Sequence, residues 1–486
     1  MIFSSYIYIL FFLPIIFIGY FALSRIKNSD LQLLWLLAAS LFFYSWWDIK
    51  YLPILLASIF INFQLGKLLS RLSRKKKLVL FIGIGFNLLI LLYFKHFDFF
   101  IENYNDLFLQ KINSLNLIIP LGISFFTFQQ IAFLVDVYSN KTSDYKFLHY
   151  ATYVSFFPQL IAGPIVHHKD LMPQFDDLSK RKINIRNITL GLFIFSIGLF
   201  KKVVIADSLA GFVSSGHSSE IILSSIEAWA LSLSYTLQLY FDFSGYADMA
   251  IGSALLINIR LPINFNSPYK AINIQEFWRR WHMTLSHFLR DYIYIPLGGN
   301  RLSNIIKYRN VLFTFLLGGI WHGAGWTFIF WGGLHGFALI ILNLWQKIGW
   351  KIPMVLSWFI TFNFINIAWI FFRADDFNAA IKILSAMFGF TPKPIPIDYI
   401  DSISMLIGIP LLSYVSEFST NAIFPSHLLL YLLILIPFVL FADNVNKTYQ
   451  TSTISYAKLI IGGLAFSISI IFLGMSSSQV FLYYNF

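Results

Sequence analysis

The sequence predicts an all-α protein built as a bundle of transmembrane helices, and three observations support this prediction. Hydrophobic residues make up 57% of the 486 residues and charged residues only 12%, too little polar surface to cover a soluble globule of this size. Long uncharged apolar runs recur along the chain, and short basic segments separate them. No segment alternates polar and apolar residues over the about ten positions of a membrane β-strand, so we expect helical spans.

Most of the apolar runs have roughly the 17 to 25 residues that cross a bilayer as a helix. The clearest runs cover 5–24, 31–47, 78–94, 354–372, 428–441 and 459–475. With the less regular segments included, we expect about eleven spans, give or take two. The first run has neither a basic flank before it nor a small-residue cleavage site, so we expect a retained span and not a signal peptide.

The distribution of basic residues predicts the orientation of the chain. Arg25 and Lys27 follow the first span, and a denser basic cluster at 67–77 follows the third span, which is one of the less regular segments. Two crossings separate these clusters, so the positive-inside rule makes both cytoplasmic and the N-terminus extracytoplasmic. The basic segment 167–186 is expected to be a third cytoplasmic loop. Topology thus explains the net charge of +12 better than nucleic-acid binding does.

The segment Leu317–Gly336 places His322 and His335 in a glycine-rich stretch, and no charged side chain occurs from 310 to 345. An ionisable group at membrane depth is costly and is a functional hypothesis by default. As one helix, 310–345 would be about 54 Å long, too long for a single span. We therefore expect a break or close backbone approach at its glycines, with ordinary small-residue packing as the alternative. The glycines nearest to His322 are Gly318, Gly319, Gly323 and Gly325.

The segment 273–301 is too charged to span lipid, yet it has helical periodicity. Polar side chains share one stripe, namely Gln275, Arg279, His282, Ser286 and Arg290. The pattern predicts an amphipathic helix that lies at the membrane interface or enters a polar cavity. Its arginines suit lipid phosphates or the diphosphate of a bound ligand, and composition does not choose between them.

Other polar residues in apolar surroundings give weaker indications. Asp136, Asp242 and Asp248 are expected to be helix caps or loop residues, with pairing to an arginine or orientation of a histidine as the alternative. The segment 158–164 contains two prolines and a glycine and indicates a re-entrant or kinked segment, or a helix end. The pair at 167–168 has no third ligand at metal-site spacing, and zero cysteines exclude thiolate metal sites and disulfides.

The chain resembles the membrane-bound O-acyltransferase (MBOAT) family, in particular the membrane subunits of alginate O-acetyltransferase, peptidoglycan O-acetyltransferase and the teichoic-acid D-alanylation system. The resemblance rests on Arg-Arg-Trp-His-Met-Thr-Leu-Ser at 279–286, Pro-Leu-Gly-Gly-Asn-Arg at 296–301 and Trp-His-Gly at 321–323. Further matches lie at 120–129, 136–138, 156–164, 238–248 and 371–374. It extends over nearly the whole chain.

The resemblance implies transfer of an acetyl group from cytoplasmic acetyl-CoA for O-acetylation of an extracytoplasmic polysaccharide, without a bound cofactor. His322 aligns with the family's essential histidine and His282 with its second position. Imidazole, with an ordinary pKa near 6.5, suits a general base for an attacking hydroxyl, and a covalent acyl-histidine is the less favoured variant. His335 is expected to be a structural hydrogen bonder. The residues expected to bind substrate are Arg279, Ser286, Arg290 and Trp321.

The resemblance further implies one domain over 1–486 in a bacterial inner membrane, around a central funnel. We divide it into N-terminal helices (1–115), a catalytic core (116–345) and C-terminal helices (346–486). Expected partners are membrane lipid, the polysaccharide acceptor and an extracytoplasmic acetyltransferase, with no nucleic acid. Two alternatives stay open: a transporter or channel for a small anion or polymer, and longer-chain acyl transfer to lipid or protein. The terminus 479–486 is expected to be an interfacial anchor, with Tyr483 or Tyr484 as acyl carrier the weaker hypothesis.

Overall fold

The computed structural model describes residues 1–26, 29–141, 145–161, 163–217, 221–391, 393, 394, 396, 398, 399, 423–425, 427–475 and 482. These residues form helices joined by loops, which confirms the predicted all-α class. In chain order the α-helices are α1 (Leu13–Leu23), α2 (Ser29–Ser45), α3 (Leu52–Arg71), α4 (Lys76–Leu91), α5 (Phe97–Phe108), α6 (Ile123–Tyr138), α7 (Phe147–Ser155), α8 (Phe157–Leu160), α9 (His168–Asp176), α10 (Ile185–Phe200), α11 (Asp207–Gly216), α12 (Ser225–Leu256), α13 (Ile274–Trp278), α14 (Met283–Leu289), α15 (Asn304–His322), α16 (Trp326–Ile348), α17 (Met354–Arg373), α18 (Phe377–Met387), α19 (His427–Phe441), α20 (Val445–Thr451) and α21 (Tyr456–Met475).

Seven helical stretches among the described residues are long and apolar enough to cross a membrane. They are Ile49–Arg71, Lys76–Phe108, Ile185–Gly216, Trp326–Ile348, Met354–Arg373, His427–Thr451 and Tyr456–Met475. Four shorter apolar helices, of 10 to 17 residues, accompany them. The chain is therefore a polytopic membrane protein, while the total of about eleven spans stays a prediction.

The glycine-rich histidine segment folds as a tight hairpin. The first helix, α15, ends at His322, and α16 begins at Trp326, so the predicted break is confirmed. A Cβ atom at Gly319 would collide with the carbonyl oxygen of Phe328, and one at Gly332 would collide with the carbonyl oxygen of Phe315. Only glycine allows the two backbones this approach, so the glycines fix where the end of α15 lies.

The π-helical turn Lys201–Ala206, which follows α10, packs against α12 through two sets of buried ion pairs. The Lys201 ammonium lies 2.7 Å from Asp248, and the Lys202 ammonium lies 2.6 Å from Asp242 and 2.8 Å from Asp207. The expectation that Asp242 and Asp248 are caps or loop residues is wrong, because both lie inside α12. They pair with lysines, and the predicted alternative had named arginine.

Two further predictions concern the segment around Pro158 and the C-terminal tyrosines. The segment around Pro158 is kinked: α7 ends at Ser155, and the single-turn helix α8 follows with all four of its residues buried. Tyr483 and Tyr484 lie outside the described residues. The neighbouring Leu482 is described, and its backbone N–H donates to Asp242 at 2.9 Å.

Candidate active site

The segment that carries the polar stripe is broken at His282. Helix α13 ends at Trp278 and α14 begins at Met283, while His282 has φ 41° and ψ 54°, in the left-handed region. An L-residue in that conformation cannot continue a right-handed helix. The predicted continuous amphipathic helix is therefore wrong. The backbone N–H of Met283 donates to the carbonyl oxygen of Asn264 at 2.9 Å, which holds the break in place.

A cavity of about 480 Å³ opens beside the broken segment. Four of the five stripe residues line it, namely Gln275, Arg279, Ser286 and Arg290. The structure thus brings together three predicted substrate-binding residues. The fourth, Trp321, does not line this cavity, and neither do His282 and His322.

The cavity has a positive lining. Arg279, Arg290 and Lys307 contribute to its wall, and none of its described lining residues is acidic. Arg290 is partly neutralised by Asp291, whose carboxylate lies 2.7 Å from its guanidinium group. Burial lowers the pKa of His287, and the charge of Arg290 lowers it further. This histidine, also on the wall, is thus neutral at neutral pH, and the positive charge comes from the two arginines and the lysine.

Aromatic rings connect the cavity with the predicted catalytic histidine. Trp278 lines the cavity, and its ring centroid lies 5.9 Å from that of Trp331. The Trp331 ring lies 5.0 Å from the His322 ring, edge to face. Two ring contacts thus separate the cavity wall from His322.

The two predicted catalytic histidines lie on either side of one tryptophan. The Trp321 ring centroid is 4.8 Å from that of His322 and 6.2 Å from that of His282. The exposed fractions of His322 and His282 are 3% and 0%. Phe128 stacks on the Trp321 ring at 5.0 Å and fixes its plane. The structure therefore brings the two histidines into one buried aromatic cluster.

Hydrogen bonds determine which nitrogen of His282 carries the proton. The ring Nδ1 lies 3.1 Å from Oδ1 of Asn264, which also accepts from the backbone N–H and the hydroxyl of Thr284 at 3.3 and 2.9 Å. The Thr284 hydroxyl in turn accepts from the Ile165 N–H at 3.0 Å. An amide oxygen only accepts, so Nδ1 is protonated and Nε2 keeps its lone pair. Within the described residues, this buried Nε2 has no hydrogen-bond partner.

His335 is a hydrogen bonder in the same aromatic cluster. Its Nδ1 accepts from the indole N–H of Trp278 at 3.2 Å, which agrees with the structural role predicted for it. Its ring also lies 4.8 Å from that of Trp331. His335 thus supports the tryptophans that separate the cavity from His322.

The sequence interpretation missed Lys95, which lies next to the histidine cluster. A π-helical turn at Leu92–His96 directs Lys95 inward, and the side chain is 8% exposed. Its Nζ donates to the carbonyl oxygen of Trp321 at 2.5 Å and to the hydroxyl of Ser124 at 3.5 Å. The sequence shows Lys95 directly after the apolar run 78–94. A lysine at the membrane boundary occupies the same kind of position, so this pattern does not single out a site residue.

The expectation that Asp136 is a cap or loop residue is wrong, because it lies inside α6. Its carboxylate connects that helix with a turn of the cavity wall. The Tyr292 hydroxyl donates to Asp136 at 2.8 Å and lies 3.2 Å from Nδ1 of His167. Tyr292 belongs to the π-helical turn Arg290–Tyr294, which carries a cavity arginine.

Among the described residues, no group of three or more His, Cys, Asp or Glu side chains is arranged to hold a metal ion.

Comparison with known proteins gives a consistent set of relatives. The model of the membrane-bound O-acyltransferase family matches residues 40–375. A peptidoglycan O-acetyltransferase of Helicobacter pylori is 46% identical over 524 residues, covering 100% of this chain and 98% of the relative. A probable alginate O-acetylase AlgI of Pseudomonas aeruginosa is 39% identical, covering 80% and 75%. A teichoic acid D-alanyltransferase of Streptococcus thermophilus is 25% identical, covering 52% and 68%.

Proposed function

Because the chain belongs to the membrane-bound O-acyltransferase family and is therefore an acyltransferase, we propose that it transfers acetyl groups from acetyl-CoA to hydroxyls of a cell-envelope polysaccharide. Peptidoglycan is the first acceptor to test, since the relative of that name aligns over the whole chain, and alginate is the second. The observation that carries this proposal is a cationic cavity two ring contacts from a buried histidine pair.

The cavity suits the anionic part of a CoA thioester. Guanidinium groups pair with phosphate oxygens through two parallel hydrogen bonds, and Arg279 and Arg290 both face the space. Lys307, in α15, adds a third cation to the cavity wall. A diphosphate held there leaves the slender pantetheine chain to reach past Trp278 toward His322. Acetyl-CoA is the donor whose charge and shape fit this arrangement.

A series of contacts connects the cavity with the basic cluster 67–77, and we infer that the cavity opens on the side of that cluster. Lys76 donates to the side chain of Asn140 at 3.1 Å, and the next residue, Lys141, lies 3.3 Å from Asp136. Asp136 binds Tyr292, in the turn that also carries a cavity arginine. By the positive-inside rule this side is cytoplasmic, where CoA thioesters are made, and the N-terminus is extracytoplasmic. The membrane is then the bacterial inner membrane.

The reaction needs a base for the attacking hydroxyl and a hydrogen-bond donor for the negative charge that develops on the thioester carbonyl oxygen. His322 takes the proton of the acceptor hydroxyl as its oxygen attacks the thioester carbonyl. The new C–O bond forms, the C–S bond breaks, and the proton passes from His322 to the departing thiolate, which leaves as CoA thiol. His282 contributes the lone pair of Nε2 to the same chamber, as a hydrogen-bond acceptor for the reacting groups. We also propose that an extracytoplasmic acetyltransferase receives the acetyl group and passes it to the polysaccharide.

The proposal is tested with full-length protein in lipid nanodiscs. Release of free thiol from acetyl-CoA is measured with soluble peptidoglycan fragments, alginate oligomers or no acceptor, and the acetyl ester is identified by mass spectrometry. We expect acceptor-dependent thiol release that competing longer acyl-CoAs inhibit weakly. Equal or better use of palmitoyl-CoA would favour the long-chain alternative, and absence of thiol release and of CoA binding would contradict the proposal.

A further inference from the structure

We propose that Lys95 is a catalytic residue, whose ammonium group donates a hydrogen bond to the oxyanion that forms when the hydroxyl attacks the thioester. This inference rests on the proposed acetyl transfer and names a group that neither the motifs nor the family comparison assigns. Three independent observations support it: the burial of the lysine without an acid, the turn that carries it, and its place beside His322.

The first observation is an uncompensated charge. Lys95 is buried in the stretch Lys76–Phe108, which is long and apolar enough to cross a membrane. Among the ion pairs of the described residues none involves Lys95, whereas the partly buried Lys201 and the buried Lys202 both face carboxylates. A buried cation without an acid is costly, and such positions are characteristically functional. Its natural complement is an anion that appears only during the reaction.

The second observation is the local backbone. Leu92–His96 forms a π-helical turn between α4 and α5. One extra residue in a helical turn rotates the side chains that follow, and such turns recur at functional sites. Here the turn buries Lys95 and His96 together, while the preceding Leu92 and Tyr93 remain exposed. The side chain of Lys95 is therefore buried by a turn whose first two residues stay exposed.

The third observation is the number of hydrogen-bond donors. A lysine ammonium has three N–H groups. One donates to the Trp321 carbonyl at 2.5 Å and a second reaches the Ser124 hydroxyl at 3.5 Å. The third has no acceptor among the described residues. Because Trp321 directly precedes His322, this remaining donor is close to the base, where the thioester carbonyl must lie when the hydroxyl attacks.

A preorganised donor at a developing oxyanion is a large catalytic effect. Removing one such donor costs about 10²- to 10³-fold in kcat, because the low-dielectric site has no water to replace it. The donor acts on the transition state more than on the bound substrate, so KM changes little. An alternative role is only to cap α15, since the Trp321 carbonyl lies in its last turn. Capping needs an N–H donor, whereas oxyanion stabilisation gains from a positive charge.

The decisive variants are therefore Lys95→Met and Lys95→Gln in the full-length protein. Gln is long enough to donate to the Trp321 carbonyl but carries no charge, so it preserves the cap. We expect both variants to lose about 100-fold in kcat with KM for acetyl-CoA within about threefold. Lys95→Arg, which keeps the charge, is expected to exceed the Gln variant. Lys77→Met, an exposed lysine on α4, is the matched control and is expected to keep wild-type rates.

A binding measurement completes the test without relying on turnover. Carboxymethyl-CoA places a carboxylate near the thioester carbonyl, and its affinity is compared with that of CoA by calorimetry. We expect the Gln variant to lose affinity for carboxymethyl-CoA at least tenfold more than for CoA. A folded Gln variant with wild-type kcat, or equal losses for both ligands, would overturn the role of Lys95. Failure of the wild-type protein to bind CoA would instead overturn the proposed donor, so the two failures are distinguishable. If the Met variant does not fold, the Gln variant decides.

Discussion

Oδ1 of Asn264 lies 3.1 Å from Nδ1 of His282, and this bond sets the tautomer of a fully buried ring. Two donors of Thr284 converge on the same oxygen, which prevents the amide from turning its NH₂ group toward the histidine. Since His282 has a left-handed backbone, the contact also holds a conformation that is strained for a residue with a side chain. Asn264 thus controls both where His282 lies and which nitrogen is free.

Replacing Asn264 is expected to lower turnover without removing substrate binding. In Asn264→Ala both tautomers of His282 become available, and we expect kcat to fall by at least about tenfold at unchanged KM. In Asn264→Asp the carboxylate favours a doubly protonated ring, so rates should recover only at higher pH. The measurement is the pH profile of thiol release from acetyl-CoA. The matched control is Asn266→Ala, an exposed asparagine two residues away, and an identical effect of both alanines would contradict the interpretation.

The cavity arginines predict how strongly the enzyme depends on the phosphates of its acyl donor. Arg279 lines the cavity, whereas the adjacent Arg280 pairs with Glu276 at 2.7 Å and does not line it. Loss of a charge-assisted hydrogen bond costs about 1.5 to 3 kcal/mol, so Arg279→Gln should raise KM for acetyl-CoA by about ten- to 100-fold. Arg280→Gln should leave that KM unchanged. With acetyl-pantetheine, which lacks the diphosphate, Arg279→Gln and wild type should have equal KM values, and a persisting difference would exclude phosphate recognition.

How much of this site the sequence predicts depends on how far apart along the chain the contacting residues lie. Spacing correctly grouped the cavity residues Ser286 and Arg290, because residues four apart share a helix face. Arg279 lies before the break at His282, so helical spacing does not explain its place in the same cavity. Spacing did not predict the break at His282, since a left-handed residue there depends on contacts with Asn264, 18 positions away. Lys95 contacts Trp321 from 226 positions away, and no local pattern reports such a distance.

The hairpin glycines predict a sharp contrast between neighbours. A methyl group at Gly332 would collide with the carbonyl oxygen of Phe315, whereas one at Gly333 would lie 3.7 Å from Leu316, an ordinary contact. Overpacking costs about 1 to 3 kcal/mol when the neighbour is backbone and cannot move aside. Gly332→Ala should therefore lower the thermal unfolding midpoint, and Gly333→Ala should leave it near wild type. Equal midpoints, measured by intrinsic fluorescence in detergent, would contradict the packing of α15 against α16.

The buried ion pairs of Lys202 with Asp207 and Asp242 predict that removing the cation alone is worse than removing all three charges. Lys202→Met leaves Asp207 and Asp242 buried without a cation, and breaking a buried pair in this way costs about 3 to 5 kcal/mol. Changing both carboxylates as well, in Lys202→Met/Asp207→Asn/Asp242→Asn, should restore part of the lost stability. The readout is again the unfolding midpoint. A triple variant less stable than the single one would show that the carboxylates have other essential partners.

The central claim is that acetyl-CoA is consumed at His322, and His322→Ala tests it most directly. Wild-type protein and the variant, both shown to bind CoA with similar affinity by calorimetry, are compared for thiol release and acetyl-ester formation on peptidoglycan fragments. We expect the variant to lose at least about 10²-fold in kcat, the range for removal of a general base. A His322→Ala variant that transfers acetyl groups at the wild-type rate would contradict it.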